Sequence, residues 1–461
     1  MLSGIDINEI LRNYQGLFNY FFSIVFAIFV ALFFSKRLPK WLKWLKSSSL
    51  VFSVILFIFV TISYIYPYLP IDPKWQNFKI ETDKTSTTIS WNDIFWLDLD
   101  QDKGFLVGSH YGGGGHGYIG SGVFMQTTDG GAKWTETPRT KFISGQGKFT
   151  WGPKGTRIYQ WDNVGPIQSI QIYTSSLPRC EKWDGWMATY TGIYEKIEYK
   201  TPKDGCKTPN NDLWKRSSPP PDSRDRYAFF SNFVGIEGSA EIYAVGWQGI
   251  SHWDPKNNWT LQMPTYTFNI SSIGEYGGSE NRQLWAVGRT GNDKNGKGDE
   301  SGGGLYRLEN QQKRWQIIPL NMQFKKGQGF NDLVISKDLI IAVGDIGLIV
   351  QGKREEKDDK WKFKKIGSST NEQLNSVAVH NSVIYIVGNK GTILFSRNCG
   401  NSWQKSSDVA KDNHGFDISK YNLNRIRFFK GRKNWHGWIL GDGIVLKSSR
   451  LSSASNTCLE N

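Results

Sequence analysis

The sequence predicts an all-β propeller of seven blades, with eight as the alternative, preceded by two transmembrane α-helices. Three observations carry this prediction: two apolar stretches near the start, a cassette that recurs through the rest of the chain, and the composition. Of 461 residues, 49 are Gly, 20 Trp, 19 Tyr and 27 Phe, while only 39% are hydrophobic. Many glycines and aromatics in a modestly apolar chain favour short strands joined by tight turns.

Residues 1–71 are expected to form a two-helix transmembrane hairpin. The stretches 17–34 and 50–66 carry no charged side chain. At a rise of about 1.5 Å per residue each spans roughly 26 Å, close to the ~30 Å hydrocarbon core of a bilayer. A buried pair of core helices is the alternative. A cleaved signal peptide is less favoured, because no basic segment precedes the first stretch.

The loop between the two apolar stretches predicts the orientation. Residues 35–49 contain five basic residues and no acidic one. Because basic loops stay on the cytoplasmic side, this loop is expected in the cytoplasm. Residues 72–461 then form a domain on the extracytoplasmic side, which is the periplasm or a lumen.

The cysteines agree with an oxidising compartment. The chain has four of them, Cys180, Cys206, Cys399 and Cys458, which allow three pairings. Cys180 with Cys206 is the favoured disulfide, because both lie in one irregular stretch. Free buried thiols are the alternative.

A cassette recurs between residues 72 and 461. Each copy has an apolar strand that ends in Val-Gly, a glycine turn, a second strand and then a tryptophan. The Val-Gly glycines at 246, 288, 344 and 388 are 42, 56 and 44 residues apart. A unit of this length matches one four-stranded propeller blade. At about 50 residues per unit, residues 72–461 hold seven or eight blades, and the irregular segment 142–226 leaves the choice open.

The two ends of the repeat region are expected to share one blade. Residues 425–448 contain three strands but no fourth strand with a tryptophan, and residues 75–82 have the pattern of that missing strand. Pairing them closes the ring and removes open sheet edges, which would otherwise template aggregation.

Two eight-residue segments, 127–134 and 396–403, have the pattern of structural hairpin turns. An Asx side chain binds the turn backbone, glycine accepts a left-handed conformation, and tryptophan packs between sheets. The pattern residues are Thr127, Asp129, Gly131 and Trp134 in the first segment, and Ser396, Asn398, Gly400 and Trp403 in the second.

These two segments resemble the Asp-box, or bacterial neuraminidase repeat. Together with the cassettes at residues 102–108 and 437–443, they make the chain similar to the photosystem II stability/assembly factor family of propellers. This resemblance implies a propeller that binds proteins and assists the assembly of a membrane complex. The two-helix anchor departs from that family, whose members are held by a lipid or exported to the lumen, so the client can be another complex.

A cell-surface glycan-binding or sialidase-like hydrolase is the alternative function that an Asp-box suggests. Such an enzyme needs several arginines for a substrate carboxylate, because a planar guanidinium matches that group, and a Tyr–Glu nucleophile pair. The sequence has no early Arg-Ile-Pro signature, and neighbours such as Tyr194 and Glu195 occur by chance. We therefore expect no catalytic residues.

No cofactor or metal site is expected. The cysteines lack the C-x₂-C spacing of zinc ligands. The glycine-rich segment 110–117 has no helix start behind it to hold a phosphate. Residues 291–304 resemble a calcium loop but place a lysine among the ligand positions, where it would repel the cation.

The chain is basic, with a formal net charge of +14. Six of its 56 basic and two of its 42 acidic residues lie in residues 1–71, which leaves +10 for the remainder. A membrane-protein client or anionic lipid headgroups fit this charge better than nucleic acid, which a domain across the membrane does not meet. The expected partner patch is Arg425, Arg427, Lys430, Arg432 and Lys433.

Overall fold

A computed structural model describes part of the chain, which divides into two units at residue 69. All the described residues belong to the second unit, and none of them lies in a helix long and apolar enough to cross a membrane. Outside them lie both predicted transmembrane helices, the loop 35–49, Cys180, Cys206, Cys458, Arg432 and Lys433. The described residues are 74–78, 80, 89–97, 101–110, 122–136, 142–143, 167–175, 182–189, 192–196, 214–216, 230–235, 241–246, 249–254, 256, 258–264, 269–277, 282–290, 302–309, 314–355, 360–406, 417–431 and 434–451.

The described chain is built from β-strands, with one short 3-10 helix at Ile418–Lys420. The first fifteen strands are β1 (Lys74–Asn77), β2 (Ile89–Trp96), β3 (Gly104–His110), β4 (Gly122–Thr127), β5 (Thr135–Glu136), β6 (Phe142–Ile143), β7 (Ile167–Ser175), β8 (Lys182–Thr189), β9 (Gly192–Lys196), β10 (Trp214–Arg216), β11 (Phe230–Gly235), β12 (Ile242–Gly246), β13 (Gly249–Asp254), β14 (Asn258–Pro264) and β15 (Ile270–Tyr276). The others are β16 (Gln283–Thr290), β17 (Gly302–Glu309), β18 (Arg314–Ile317), β19 (Phe330–Ile335), β20 (Leu339–Gly344), β21 (Ile349–Glu355), β22 (Lys360–Ile366), β23 (Leu374–His380), β24 (Val383–Gly388), β25 (Thr392–Ser396), β26 (Gln404–Lys405), β27 (Leu423–Lys430), β28 (Trp435–Gly441) and β29 (Ile444–Arg450).

In the described part of the chain these strands form seven sheets, and the predicted all-β propeller is confirmed. Six sheets have the four-stranded antiparallel form of a blade: β2–β5 (sheet 1), β11–β14 (sheet 3), β15–β18 (sheet 4), β19–β22 (sheet 5), β23–β26 (sheet 6) and β27–β29 with β1 (sheet 7). Sheet 2 has five strands in the order β6-β10-β9-β8-β7. Its outermost strand, β6, runs parallel to β10.

The first strand of each sheet lies innermost and contacts the first strand of the next. These inner strands are β2, β7, β11, β15, β19, β23 and β27, and β27 contacts β2 again. Sheet 7 takes its fourth strand from the other end of the domain, because β1 pairs antiparallel with β29. The Phe78 amide extends this pairing by donating to the Val445 carbonyl at 2.8 Å.

The strands in sheet 7 differ in extent from the sequence expectation. The strand expected at 75–82 appears as β1, which ends at Asn77. The three strands expected within 425–448 are β27, β28 and β29, which together run from Leu423 to Arg450. The seam aromatics pack tightly across sheets 7 and 1: the ring centroid of Trp438 lies 5.1 Å from that of Phe78 and 5.3 Å from that of Trp96.

Every inner strand carries a β-bulge near its start, directly after a buried apolar residue. These apolar residues are Trp91, Ile167, Phe230, Ile270, Phe330, Leu374 and Leu423. A bulge re-aims side chains, and here the polar residue at the bulge turns toward the next sheet. At five of the seven bulges it donates to the carbonyl of the corresponding apolar residue next door. These bonds are Asn92 Nδ2 to Ile167 O (2.7 Å), Ser231 Oγ to Ile270 O (2.8 Å), Asn331 Nδ2 to Leu374 O (2.9 Å), Asn375 Nδ2 to Leu423 O (2.8 Å) and Asn424 Nδ2 to Trp91 O (3.1 Å).

The bulges also explain why, in six of the seven second strands, a glycine lies opposite the residue before the bulge. A Cβ on Gly344 would overlap the carbonyl oxygen of Gly329, the residue before the inner strand β19. The next residue, Asp345, instead donates its amide to that oxygen at 3.0 Å. The same overlap would occur at Gly108, Gly288, Gly388 and Gly441. The repeated Val-Gly signature therefore marks a close approach between two strands of one blade.

Tryptophans near the outer strands pack between sheets, as the cassette predicts. Trp75 on β1 is 0% exposed and Trp134 before β5 is 3% exposed. Trp259 on β14 and Trp315 on β18 are also buried. Full burial of such a side chain stabilises the fold by roughly 3–5 kcal/mol relative to alanine, so these residues contribute much of the packing between blades.

Candidate functional site

The inner strands bring one ring of polar side chains to the central channel. The residue after each bulge points inward, and we call the seven of them the polar belt: Asp93, Ser169, Asn232, Ser272, Asp332, Ser376 and Arg425. Six of these side chains are buried, which is uncommon for polar groups unless they are hydrogen-bonded. Their partners are mostly one another.

Asp332 is the centre of one half of the belt. Its Oδ1 accepts from Ser272 Oγ at 2.6 Å, and its Oδ2 accepts from Ser376 Oγ at 2.8 Å. Backbone amides of Leu333 and Val377 donate to the same carboxylate at 3.0 and 3.1 Å. Arg425 Nη1 lies 3.7 Å from Oδ2. The carboxylate thus bridges three neighbouring sheets.

Asp93 holds the other half of the belt together across the seam. Its side chain is 0% exposed, accepts from Ser169 Oγ at 2.9 Å, and accepts from Nε and Nη2 of Arg427 at 2.9 and 3.0 Å. Burial alone would raise the pKa of Asp93, but Arg427 and Arg425 and the hydrogen bonds outweigh it and hold that pKa below its ordinary value. Asp93 is therefore a carboxylate at neutral pH, with a bidentate partner.

A cavity of about 540 Å³ lies along the channel, between the belt and the far ends of the inner strands. Its wall just beyond the belt is formed by the next inward-facing residue of each inner strand. We call these seven the channel layer: Phe95, Gln171, Val234, Gly274, Val334, Ala378 and Arg427. All are half-buried, as expected of a lining that faces solvent in the channel.

The mouth of the cavity is aromatic. Phe429 of sheet 7 packs edge-to-face on Phe95 of sheet 1, with ring centroids 5.9 Å apart. Tyr276 of sheet 4 lines the wall on the other side of the ring. Trp435, at the start of β28, lines the cavity and is 39% exposed. Behind it His380 is 5% exposed, and burial lowers the pKa of His380 to about 4, so the imidazole is neutral at neutral pH. An apolar rim of this kind is typical of ligand and protein contact sites.

Among the described members of the basic cluster expected at residues 425–433, Arg425 and Arg427 do not share an exposed surface with Lys430. Arg425 and Arg427 face the channel, where they pair with Asp332 and Asp93. Lys430 is exposed at the end of β27. Side chains alternate between the two faces of a strand. Arg425 and Arg427 are two residues apart and both point into the channel, whereas Lys430, three residues further on, does not.

The two turns of the hairpin pattern have matching hydrogen bonds. In the first, Thr127 Oγ1 donates to Asp129 Oδ1 at 2.8 Å and accepts from the amide of Gly131 at 3.0 Å. In the second, Ser396 Oγ donates to Asn398 Oδ1 at 2.9 Å and accepts from the amide of Gly400 at 2.9 Å. Both turns join the third and fourth strands of a sheet, and neither contributes a residue to the cavity described above.

Two further predictions concern cysteines and metals. Cys399, in the second turn, is disulfide-bonded. The favoured pair Cys180–Cys206 lies outside the described residues. Among the residues that the structure describes, no group of three His, Cys, Asp or Glu side chains is arranged to hold a metal ion.

The sequence predictions did not include the belt residues Asp93 and Asp332. The sequence does contain a signal for them near the start of several inner strands. It is an apolar residue, followed by Asn or Ser, a second polar residue and another apolar residue. Asn92-Asp93, Asn331-Asp332 and Asn375-Ser376 are clear copies. This pattern is hard to distinguish from the ordinary alternation of polar and apolar residues in a β-strand.

No protein-family model matches the sequence, and a comparison with curated proteins finds no match. Among solved structures, the chain is similar to YCF48 from Cyanidioschyzon merolae, with 14% identity, TM-score 0.49, and coverage of 81% of this chain and 98% of that one. It is similar to YCF48 bound to D1 peptide, with 16% identity, TM-score 0.49, and coverage of 84% and 100%. The WD40 repeats of RRP9 match at 9% identity and TM-score 0.48, with coverage of 82% and 99%.

Proposed function

We propose that this chain is a membrane-anchored, non-enzymatic propeller that binds a segment of a membrane-protein client and assists assembly or stability of its complex. The observation that carries the proposal is the channel cavity. It combines an open aromatic mouth, an apolar wall and a hydrogen-bonded polar belt, which is a binding arrangement. In this proposal sheet 2 is the seventh blade, and the turns at 127–134 and 396–403 are Asp-boxes.

The acids of the belt support binding over catalysis. A general acid or base needs a carboxyl group whose pKa lies near the working pH. The pKa of Asp93 is instead held low by its arginine. Asp332 accepts hydrogen bonds from two hydroxyls and two backbone amides. Both carboxylates are fully occupied in linking sheets.

The hydrolase alternative receives less support from the same cavity. Among the described residues only two arginines line it and each also holds a belt aspartate, whereas such an enzyme needs several arginines that converge on one substrate carboxylate. A nearby tyrosine and acid, Tyr276 and Glu275, also line it, yet Glu275 Oε1 lies 3.4 Å from Nε of Arg282. A tyrosine nucleophile needs a free base beside it. Turnover of a fluorogenic sialoside by the purified chain would favour the alternative.

The anchor and the extracytoplasmic location remain part of the proposal. The two uncharged stretches and the basic loop 35–49 support them. The disulfide at Cys399 adds support, because disulfides persist mainly outside the reducing cytosol. Photosystem II is one candidate complex, on the strength of the motif resemblance, and anionic lipid headgroups are a second class of contact.

Site-specific photocrosslinking in native membranes tests the proposal. Benzoylphenylalanine replaces Trp435 at the mouth in one variant and Ile346 in the control. Ile346 is 37% exposed in the turn between β20 and β21, at the opposite end of the inner strands. We expect one integral membrane protein to crosslink repeatedly from position 435 and not from 346. No product, or the same products from both positions, would contradict the proposal.

A further inference from the structure

We propose that the cavity floor binds a carboxylate, through the edge of Arg427 that Asp93 leaves unused, and that the client supplies this group next to an apolar or aromatic side chain. This inference deepens the proposed function and rests on it, since it assigns the chemistry that the same cavity recognises.

The two partners of the seam ion pair are unequally exposed. Asp93 is 0% exposed, whereas the side chain of Arg427 is 38% exposed. The cavity lining includes Arg427 and Arg425 but not Asp93. Within this pair the negative charge is therefore buried, and the positive charge faces the open channel.

Arg427 also has donors to spare. Its Nε and Nη2 donate to Asp93, and among the described residues no acceptor takes the protons on Nη1. A guanidinium can bind carboxylates along two edges at once, because its five N–H groups lie in one plane. Asp93 fixes the plane of the guanidinium, which lowers the ordering cost of binding a second carboxylate.

The surroundings of this donor edge fit an organic acid better than a small hydrated ion. Phe95, Val334 and Ala378 of the channel layer are apolar, and Phe429 packs on Phe95 nearer the mouth. Such walls displace water around the carboxylate, which strengthens a charge-assisted hydrogen bond, and they contact an attached apolar group. An acidic side chain beside an aromatic residue, or a chain terminus on an apolar residue, has this chemistry.

Fluorine NMR with the full chain in nanodiscs tests the inference. The probe is para-trifluoromethyl-phenylacetate, and its primary amide is the neutral control. We expect the acid to bind about tenfold more tightly than the amide, the usual scale for one charge-assisted hydrogen bond. Equal binding of acid and amide would overturn the inference.

A matched pair of variants locates the site without disturbing the seam. Ala378 lies on β23, whose Ser376 accepts the amide of Ile426 at 3.4 Å, so position 378 is beside Arg427 in the channel layer. Ala378→Glu supplies a built-in carboxylate and is expected to abolish the preference for the acid. Ala378→Gln adds the same bulk without the charge, so it is expected to weaken binding of acid and amide alike and to leave their ratio unchanged. If both variants behave alike, the site is wrongly placed.

Two fluorinated peptides separate the sources of the carboxylate. One has an internal Phe-Glu pair and an amidated end, and the other has Phe-Gln and a free terminal carboxylate. Binding of either peptide supports the inference and identifies the source. Displacement of the probe by N-acetylneuraminic acid, with neither peptide binding, would overturn it in favour of a glycan site. Client crosslinking from position 435 without any acid preference would refute this inference alone and leave the proposed function standing.

Discussion

Replacing Arg427 with Met is expected to destabilise the ring at its seam. The substitution leaves the carboxylate of Asp93, which is 0% exposed, without its cation. Breaking a buried ion pair by removing one partner costs about 3–5 kcal/mol. The side chain of Arg427 is 38% exposed, so water already screens part of the pair. We therefore expect a loss of about 2–4 kcal/mol, somewhat below that range.

Thermal unfolding of the full chain in nanodiscs, followed by tryptophan fluorescence, measures this loss. Lys362→Met is the control, because Lys362 pairs with Glu355 while its side chain is 75% exposed. An exposed pair of this kind contributes about 0–1 kcal/mol. The double variant Asp93→Asn with Arg427→Gln should recover most of the loss, since it removes the orphaned charge. If Arg427→Met is no more destabilising than Lys362→Met, the reasoning is wrong.

The pH dependence of the loss has a definite sign. In the wild type the folded pKa of Asp93 lies below the unfolded value of about 3.9. Its stabilising contribution is therefore present above that value and is lost as the pH falls through the lower folded pKa. Without Arg427, burial raises the folded pKa, and acid then protonates the carboxyl and relieves the variant. The difference between variant and wild type should therefore shrink as the pH falls: above about pH 3.9 because the variant gains stability, and below it because the wild type loses stability. Growth of the difference on acidification would contradict this account.

Three further predictions concern other parts of the ring. Gly344→Ala should lower the unfolding free energy by more than about 2 kcal/mol, because the added Cβ would overlap the Gly329 carbonyl and push the two strands apart. The control Gly367→Ala, with no atom within 4 Å of the added Cβ, should change it by less than about 0.5 kcal/mol. Burial lowers the pKa of His380 to about 4, below its unfolded value near 6.5. The stabilising contribution of the neutral imidazole is therefore present above pH 6.5 and is lost, at up to about 1.4 kcal/mol per pH unit, as the pH falls to about 4. Thermal unfolding of His380→Phe over this range should show a weaker dependence of stability on pH than the wild type. Asn375→Ala removes the 2.8 Å bond to the Leu423 carbonyl and should cost about 1–3 kcal/mol, with faster hydrogen exchange confined to sheets 6 and 7.

Several features of the ring were readable from the sequence because each is encoded locally. A second strand that must pass close to an inner strand needs glycine, so Gly344 and Gly388 mark blade after blade. Tryptophans that pack between sheets, such as Trp75 and Trp134, follow at regular distances. These signals depend on one residue type at one position and survive large changes elsewhere.

The site was not readable in the same way, because its residues meet only through the ring. Asp93 and Arg427 are 334 positions apart, and nothing in the local sequence of either one indicates the other. Arg425 and Arg427 look like members of a surface cluster because basic residues surround them in the sequence. The bulge in β27 and the alternation of its side chains direct both into the channel instead.

Hydrogen exchange of residues 74–78 in the full chain tests closure of the ring most directly. The belt and the proposed carboxylate site cross the seam between sheets 7 and 1, and β1 completes sheet 7 at that seam. If β1 pairs with β29, its bonded amides, including that of Phe78, should exchange as slowly as those of β28 and β29. Complete exchange of this segment within seconds, beside protected β28 and β29, would show an open ring and contradict the account.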